Sequence, residues 1–559
     1  MFGVNDMTKN TYFRSSFAET IFSQKYAHEG AETWPELAAL VVEDVCQDNM
    51  APDEKEQLAQ YITQMKFLPG GRYLYYAGRA NKYFNNCYLL KAEEDTRQDW
   101  ADLSWKAESC LMTGGGIGVD YSVYRPAGAH IARTGGQASG PIPKMNMLNE
   151  IGRRVMQGGS RRSAIYASLS CDHGDVMDFL VAKDWESMPV PGTDKTLWDL
   201  KQDDFNWPAP LDMTNISVNY NTQWLIDYYQ SGDPGPVFRK NVEQALRTSE
   251  PGFSFNFYEK ENETLRNACT EVTSSFDSDA CNLGSVNLAQ VETLDELKDV
   301  VHLATKFLLC GTMRADLPYF KVYETRDKTR RLGLGLMGIH EKLISWGERY
   351  EVTPQLHQWL SVWRGESERT ATEFSKFLSV NRPMGVRAIA PTGTIGILAG
   401  TTTGIEPIFA TAYKRRYLVG GSEWRYQYVI DSAAQEMIDK YGVEPETIES
   451  ALDLAADPER RVAFQASVQD YVDQSISSTI NLPAWGSELN NEDSVETYVD
   501  LFARYASRLR GMTVYADGSR GGQPLTSVSY ADAKKWEGET FVEAHDICDI
   551  SGSGGSCGI

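Results

Sequence analysis

Apolar residues recur at helical spacing through the first 66 positions. Trp34, Leu37, Leu40, Val41 and Val45 fall on one face, and Leu58, Tyr61, Ile62 and Met65 repeat the pattern, which predicts amphipathic helices. Leu68-Pro69-Gly70-Gly71 ends this region with backbone breakers. Two further stripes follow. Trp100, Leu103, Ala107, Cys110 and Leu111 predict a helix over 100–111, and Met147, Leu148, Ile151 and Val155 predict one over 144–156. Such stripes serve core packing or, in a sharper reading, a subunit interface. Further on, short apolar runs alternate with helical stretches. Ala388-Ile389-Ala390 precedes a Gly/Thr loop, and Gly511–Tyr515 precedes Asp517-Gly518. That alternation predicts an α/β fold. No period of 20–50 residues recurs, which argues against a solenoid or propeller. After Arg520 periodicity fades, and the end, Ser551 to Ile559, reads as a flexible linker carrying Cys557.

Composition narrows the classes. The 559 residues are 42% hydrophobic and 23% charged, an ordinary globular balance that excludes collagen-like or wholly disordered chains. A net charge of −23 disfavours electrostatic wrapping of DNA but leaves local nucleotide binding open. The sequence has no apolar run of about 18 residues and no secretory signal at its start, so a cytoplasmic protein, unanchored in a membrane, is expected. Nine Cys are too sparse for a disulfide scaffold, and reduced thiols are expected.

The candidate chemistry lies in a few short segments. Ala390 to Gly404 concentrates Gly and Thr, whose backbone N–H groups and hydroxyls can surround phosphate oxygens; no Gly-Lys-Ser/Thr follows, so it is not a Walker A loop. A structural turn is the other reading. Thr113 to Gly118 is a second Gly-rich patch. Met156 to Ser163 is a third, in which Arg161 and Arg162 suit a phosphate or base clamp, or simply a solvated turn. Asn267, Cys269 and Glu271 alternate. In an extended segment their amide, thiol and carboxyl project to one side, a catalytic combination. A buried Glu there would have its pKa raised. The seven His are scattered, with no HExxH and no CxxC, so no metal site is expected in the chain. Asp172-His173-Gly174-Asp175 reads as a turn.

These pieces, in order, resemble the catalytic subunit of ribonucleotide reductases, from about Tyr26 to Arg520. The carrying motifs are Phe67–Arg72 (FLPGGR), Asn86-Cys87, Gly114–Gly118 (GGGIG), Gln157–Gly159 (QGG), Asn267–Glu271 (NACTE), Ala280–Asn287 (ACNLGSVN), Arg331–Gly335 (RLGLG), Pro391–Thr394 (PTGT) and Gly511–Arg520 (GMTVYADGSR). The likeness is strongest to the compact reductases carried by phages. It implies a ten-stranded α/β barrel of two five-stranded halves, antiparallel to each other, with a central finger loop. The implied boundaries are a helical N-terminal region over 1–66, without room for a full ATP-cone, the barrel over 67–520 and a flexible tail over 521–559.

By this likeness Cys269 at the finger tip becomes a thiyl radical that removes the ribose 3′-hydrogen. Glu271 is the general base, Asn267 holds a substrate hydroxyl, and Cys87 with Cys281 supplies two reducing equivalents and forms a disulfide. Pro391, Thr392, Gly393 and Thr394 would hold substrate phosphates. Glu94 or Asp95, with Arg125, Gln157, Gly158 and Arg161, would bind deoxynucleoside triphosphate or ATP effectors beside a homodimer interface made by the two striped helices. Cys548 and Cys557 would relay electrons from a thioredoxin- or glutaredoxin-type reductant. For the radical source the expectation is a separate metal-containing, ferritin-like small subunit, with Tyr515 and Tyr530 as candidate relays. Adenosylcobalamin is the alternative, because Tyr515-Ala516 stands where the small-subunit class has two adjacent tyrosines, so that pair is broken. A non-catalytic nucleotide-sensing paralogue is the alternative of another class, and a glycyl-radical enzyme is disfavoured by the lack of an Arg-Val-x-Gly-like motif.

Overall fold

The computed structural model describes residues 12–132, 134–155, 163–204, 206–419, 423–519 and 525–542. The N-terminal pattern folds into α1 (Trp34–Cys46) and α2 (Pro52–Thr63). The Glu36 carboxylate accepts the Thr33 backbone N–H at 2.9 Å, which satisfies one orphan donor at the start of α1. Trp34, Leu37, Val41, Val45, Leu58 and Ile62 are buried and belong to the main apolar core, which they share with the helices Arg97–Met112 and Leu294–Arg314 and most barrel strands.

Helices α3 (Arg97–Met112) and α4 (Pro141–Arg154) pack side by side. On α3 four of the five expected residues, Leu103, Ala107, Cys110 and Leu111, are buried, and Trp100 is half-buried. On α4 the stripe is rotated from the expected one. Met147 is 51% exposed, while Pro141, Lys144, Met145, Leu148 and Gly152 face inward. The cause is Lys144, whose Nζ donates to Trp100 O and Ser104 Oγ of α3, both at 2.5 Å; anchoring that ammonium fixes the roll of the helix. Trp105 and Met112 of α3 are likewise exposed. Helices α5 (Leu294–Arg314) and α6 (Pro354–Phe377) pack on each other, and α1 and α2 pack on α5.

The barrel is read from strand register. A short β1 (Phe67–Pro69) precedes β2 (Cys87–Lys91), β3 (Gly116–Asp120), β4 (Ile165–Ser170), β5 (Thr214–Tyr220) and β6 (Gly252–Phe255). Strands β2 to β6 are successive parallel neighbours. The chain next makes two short strands, β7 (Leu265–Arg266) and β8 (Thr273–Ser274), and then β9 (Asp279–Asn287), parallel to β10 (Leu332–Met337). Parallel bridges Leu334–Arg387 and Ile389–Ile476 carry the second half onward. After helix α7 (Gly393–Ala399) the chain leaves the ring for a hairpin, β11 (Ala412–Val419) and β12 (Glu423–Ile430). It returns as β13 (Thr479–Leu482), parallel to β14 (Gly511–Ala516). The halves join antiparallel at two seams, β2–β9 and β6–β14. With the 387–389 segment as the tenth member, the ring closes as two five-stranded halves, and closure leaves no exposed edge. β1 lies outside, antiparallel to the far end of β9.

The segment expected to be a flexible tail is ordered over 525–542. β15 (Leu525–Ser527) adds to β11, α8 (Tyr530–Trp536) follows, and β16 (Thr540–Val542) adds to β12. The hairpin has two edges with unpaired backbone groups, and the chain end satisfies both. A few apolar anchors suffice: Ala533 is fully buried against Ala412 and Ile430, and Phe541 stacks on Tyr426 with ring centroids 5.2 Å apart.

Candidate active site

β7 and β8 form a two-residue antiparallel ladder, Arg266 opposite Thr273 and Leu265 opposite Ser274. Leu265 and Val272 pack with Leu89, Cys281, Leu283, Ala388 and Ala390, residues of β2, β9 and the 387–390 segment, in a cluster of their own. The finger therefore lies inside the ring. Its seat is Gly118 on β3, where an added Cβ would stand 1.6 Å from the carbonyl oxygen of Arg266; no side chain fits there. The Gly-rich patch ending at Gly118 supplies the start of this strand.

The tip differs from the expected extended segment. The Thr270 N–H donates to Asn267 O at 2.9 Å, Thr270 has φ +71°, and the Val272 N–H donates to Asn267 Oδ1 at 2.9 Å. This turn separates the three alternating side chains. Asn267 and Glu271 are buried, while Cys269 is exposed at the apex. Two contacts that the sequence did not suggest support the tip: Asn215 Nδ2 donates to Ala268 O at 3.4 Å, and the Ser475 N–H donates to Glu271 O at 2.9 Å.

Cys87 and Cys281 stand directly opposite each other across the β2–β9 seam. Directly opposed residues of an antiparallel pair have Cβ atoms about 4.5–5.5 Å apart, within rearrangement distance of a disulfide; both are thiols here. Asn267 Nδ2 donates to Cys87 Sγ at 3.4 Å. Burial, reinforced by the neighbouring Glu271 carboxylate, pushes the Cys87 thiol up to about 12 and Cys281 up as well. Burial likewise raises Glu271 to about 7, opposed by hydrogen bonds from its own backbone and Asn267. Among the described residues none hydrogen-bonds Glu271 Oε2. The finger thus offers an exposed thiol, a buried carboxyl poised near neutrality and a pair of facing reduced thiols, a set suited to combined hydrogen-atom, proton and electron transfer.

In the Pro391–Thr394 loop, Thr392 adopts φ +52° at the start of α7, and its hydroxyl accepts the Gly404 N–H at 2.8 Å. Pro391 and Gly393 are exposed, and a Cβ at Gly393 would meet nothing within 4 Å. Away from the finger, Asp95 and Arg125 are ion-paired with each other, and Glu94 is exposed. Gln157, Gly158 and Arg161, like Cys548 and Cys557, lie outside the described residues. Tyr515 is half-buried on β14, followed by the fully buried Ala516. Tyr530 belongs to α8 and donates to Gln435 Oε1 at 3.0 Å. His173 sits in a turn, bonded to Tyr124 O at 2.6 Å. Among the described residues no helix is long and apolar enough to cross a membrane.

The family model of the ribonucleotide reductase barrel domain matches residues 85–198, 222–357 and 382–515. The chain belongs to the ribonucleotide reductase family. It is a catalytic subunit of that family, an oxidoreductase. It is 29% identical, over 85% of its own length and 73% of the relative's, to a vitamin B12-dependent ribonucleoside-diphosphate reductase of Mycobacterium tuberculosis. It is 24% identical to a putative adenosylcobalamin-dependent ribonucleoside-triphosphate reductase of Mycobacterium phage D29, covering 97% of this chain and 98% of that one. The fold is also that of the class Id ribonucleotide reductase alpha subunit of Actinobacillus ureae, with a TM-score of 0.69, 16% identity, and coverage of 90% and 97%. These relatives overturn the expected radical source. The B12-dependent names argue against a metal-containing, ferritin-like small subunit as partner. The local reason is visible on β14: a relay through two adjacent phenols stops at Tyr515, because Ala516 has no redox-active side chain.

Proposed function

We propose that the chain is an adenosylcobalamin-dependent reductase that converts ribonucleotides to 2′-deoxyribonucleotides by a thiyl-radical route. The observation that carries this reading is the finger, which presents Cys269 at its exposed apex above the buried Glu271 and the facing thiols of Cys87 and Cys281. The residues fit the cofactor. An exposed thiol can be reached by an external initiator, and the chain has no paired tyrosines at 515–516 to serve a longer relay. Cys269 is the residue that would meet it. When bound, adenosylcobalamin supplies the one-electron chemistry that removes the hydrogen atom from the Cys269 thiol.

The chain's own groups do the rest. The Cys269 sulfur takes the ribose 3′-hydrogen atom and later returns one. The Glu271 carboxylate accepts the proton of the 3′-hydroxyl, a role suited to a carboxyl raised to about 7 by burial. The 2′-hydroxyl leaves as water after protonation, and Cys87 and Cys281 together give two electrons and two protons, ending as a disulfide. The balance is one ribonucleotide and two thiols to one deoxyribonucleotide, one water and one disulfide. The open backbone at Gly393 supports phosphate binding there. Binding of an effector between Asp95 and Arg125 would require their ion pair to part.

The test supplies the purified chain with adenosylcobalamin, a small dithiol and ribonucleoside di- or triphosphates. Deoxynucleotide is expected only when the cofactor is present. Substrate binding without any product, at saturating cofactor, refutes the reading.

A further inference from the structure

A ladder of two residue pairs is too short to hold its own geometry; even longer isolated hairpins are marginal in water. Yet this finger has to keep one sulfur in place. Besides the Ser475 N–H that Glu271 O accepts at the tip, the bonds that hold it come from side chains. Thr273 and Ser274 are adjacent on β8, so their side chains leave on opposite faces, and each is fully buried. Thr273 Oγ1 donates to Glu263 Oε2 at 2.8 Å, and Ser274 Oγ donates to Asp279 Oδ2 at 2.6 Å. Each carboxylate is paired with an arginine. Arg510 Nη2 stands 3.2 Å from Glu263 Oε2, and Arg331 Nε stands 2.7 Å from Asp279 Oδ2. Asp279 and Arg331 are 0% and 2% exposed, and Thr329 Oγ1 adds a bond to Asp279 Oδ1 at 2.8 Å.

The two pairs fall at the two joins of the barrel. Arg510 immediately precedes β14, which borders β6; Asp279 opens β9 opposite Leu89 of β2. The outgoing strand is tied to the first of these joins as well. Arg266 Nη2 donates to Asn256 Oδ1 at 2.6 Å and to Arg510 O at 3.1 Å, and its Nη1 donates to Glu263 O. Charge-assisted bonds with little access to water are the strong ones, and the Glu263–Arg510 pair is only 15% and 12% exposed. Burial opposes ionisation of Glu263, but Arg510, Arg331 and Lys260 overcome it and hold the carboxyl down at about 2.

We infer that Glu263–Arg510 and Asp279–Arg331 are positioning pairs that string the finger between the two half-barrel seams and so fix where the Cys269 thiol stands. The inference rests on the reading of Cys269 as the radical carrier, which it deepens by naming what sets the register of the sulfur.

The test removes the two hydroxyls and leaves the ion pairs intact. Thr273→Val, Ser274→Ala and their combination are compared with Thr273→Ser, which keeps a hydroxyl. A sulfur displaced by about 1 Å costs on the order of 100-fold in turnover, so the double variant should lose about that factor in kcat with an unchanged KM. In the chain without substrate or cofactor, iodoacetamide labelling of Cys269, mapped by mass spectrometry, should quicken about fivefold as the tip opens locally. Thr273→Ser should keep both readouts close to the parent. Parent-like kcat and labelling in the double variant overturn the inference. So does a kcat loss shared by Thr273→Ser, or a change confined to KM. If the double variant does not fold, Ser274→Ala alone decides by the same readouts. Labelling does not depend on radical chemistry, so it separates this inference from the reductase reading, which Cys269→Ala tests by itself.

Discussion

Two threonines sit in the left-handed backbone region at the two ends of the proposed reaction, Thr270 at the finger tip and Thr392 in the phosphate-loop candidate. A β-branched residue there is strained, and the two sites hold that strain differently. At Thr392 the side chain itself contributes, since its hydroxyl accepts the Gly404 N–H and ties the two ends of the Gly/Thr loop together. At Thr270 the turn is held by the Asn267 carbonyl and side-chain amide. The first loop depends on its threonine. The second depends on the asparagine, and the chemistry proposed for it belongs to the neighbours Cys269 and Glu271. Substitutions in the finger should therefore act on the chemical step, and those in the phosphate loop on substrate affinity.

The largest effect tests that division directly. Cys269→Ala should remove turnover altogether while leaving nucleotide affinity within about twofold, because an exposed thiol contributes little to packing. Measurable deoxynucleotide formation by this variant would remove the finger from the mechanism.

Glu271→Gln comes next. Loss of a positioned base costs about 10²–10⁴-fold in rate. The parent kcat/KM should rise as pH passes about 7, where Glu271 ionises, and the Gln variant should lack that rise. Stability runs the other way. The folded carboxyl holds its proton up to about 7, while the unfolded one releases it near 4.5. The folded state thus loses stability as pH climbs through that interval. At pH 8 the Gln variant should be more stable by up to about 3 kcal/mol, as read from denaturant midpoints. A variant less stable than the parent at pH 8 would contradict burial as the cause of the raised pKa.

Thr392→Ala should act on binding. Loss of one buried hydrogen bond to a neutral partner is worth about 1 kcal/mol, so KM should rise about fivefold with kcat nearly constant. A kcat effect as large as that of Glu271→Gln would erase the division between the two loops.

How much of this was legible in the sequence depends on which force fixes each element. Ala388-Ile389-Ala390 and Gly511–Tyr515 were readable as strands because buried parallel strands are short apolar runs. Gly118 was not, since its strand is selected by the room the finger needs, and glycine carries no strand signal. The 525–542 segment was missed because three-residue strands with polar faces are fixed by the open hairpin edges and a few anchors such as Ala533 and Phe541. In the site, Asn267, Cys269 and Glu271 were visible as a group, but the turn through Thr270 is set by the Asn267 side chain, which spacing does not encode. That Cys87 faces Cys281 is a matter of strand register, so resemblance could imply it and residue pattern could not. Glu263, Asp279 and Arg510 gave no signal, because an isolated charge in a sequence reads as surface, and Arg331 entered only as the first residue of the RLGLG motif, with no partner implied. The break at Tyr515-Ala516 was visible, and it pointed to the cofactor class that the relatives support.

The smallest expected effect is the sharpest test of the contrast between the two threonines, because it turns on a sign. Replacing Thr270 with Gly relieves a left-handed β-branched residue, a gain of about 1–2 kcal/mol. It also gives the unfolded chain extra freedom, a loss of about 0.5–1 kcal/mol. The bonds that hold the turn, from Asn267, are untouched. Thr270→Gly should therefore stabilise the protein slightly, by about 0.5–1 kcal/mol on the same terms, and lower turnover no more than a few-fold. Thr392→Gly relieves the same strain and incurs the same entropic loss, but it also deletes the hydroxyl that accepts the buried Gly404 N–H. An unsatisfied buried donor costs about 1–3 kcal/mol, so this variant should be less stable than the parent. Paired thermal unfolding curves decide the matter: midpoints that move in opposite directions uphold the contrast, and midpoints that move together show that both loops hold their strain in the same way.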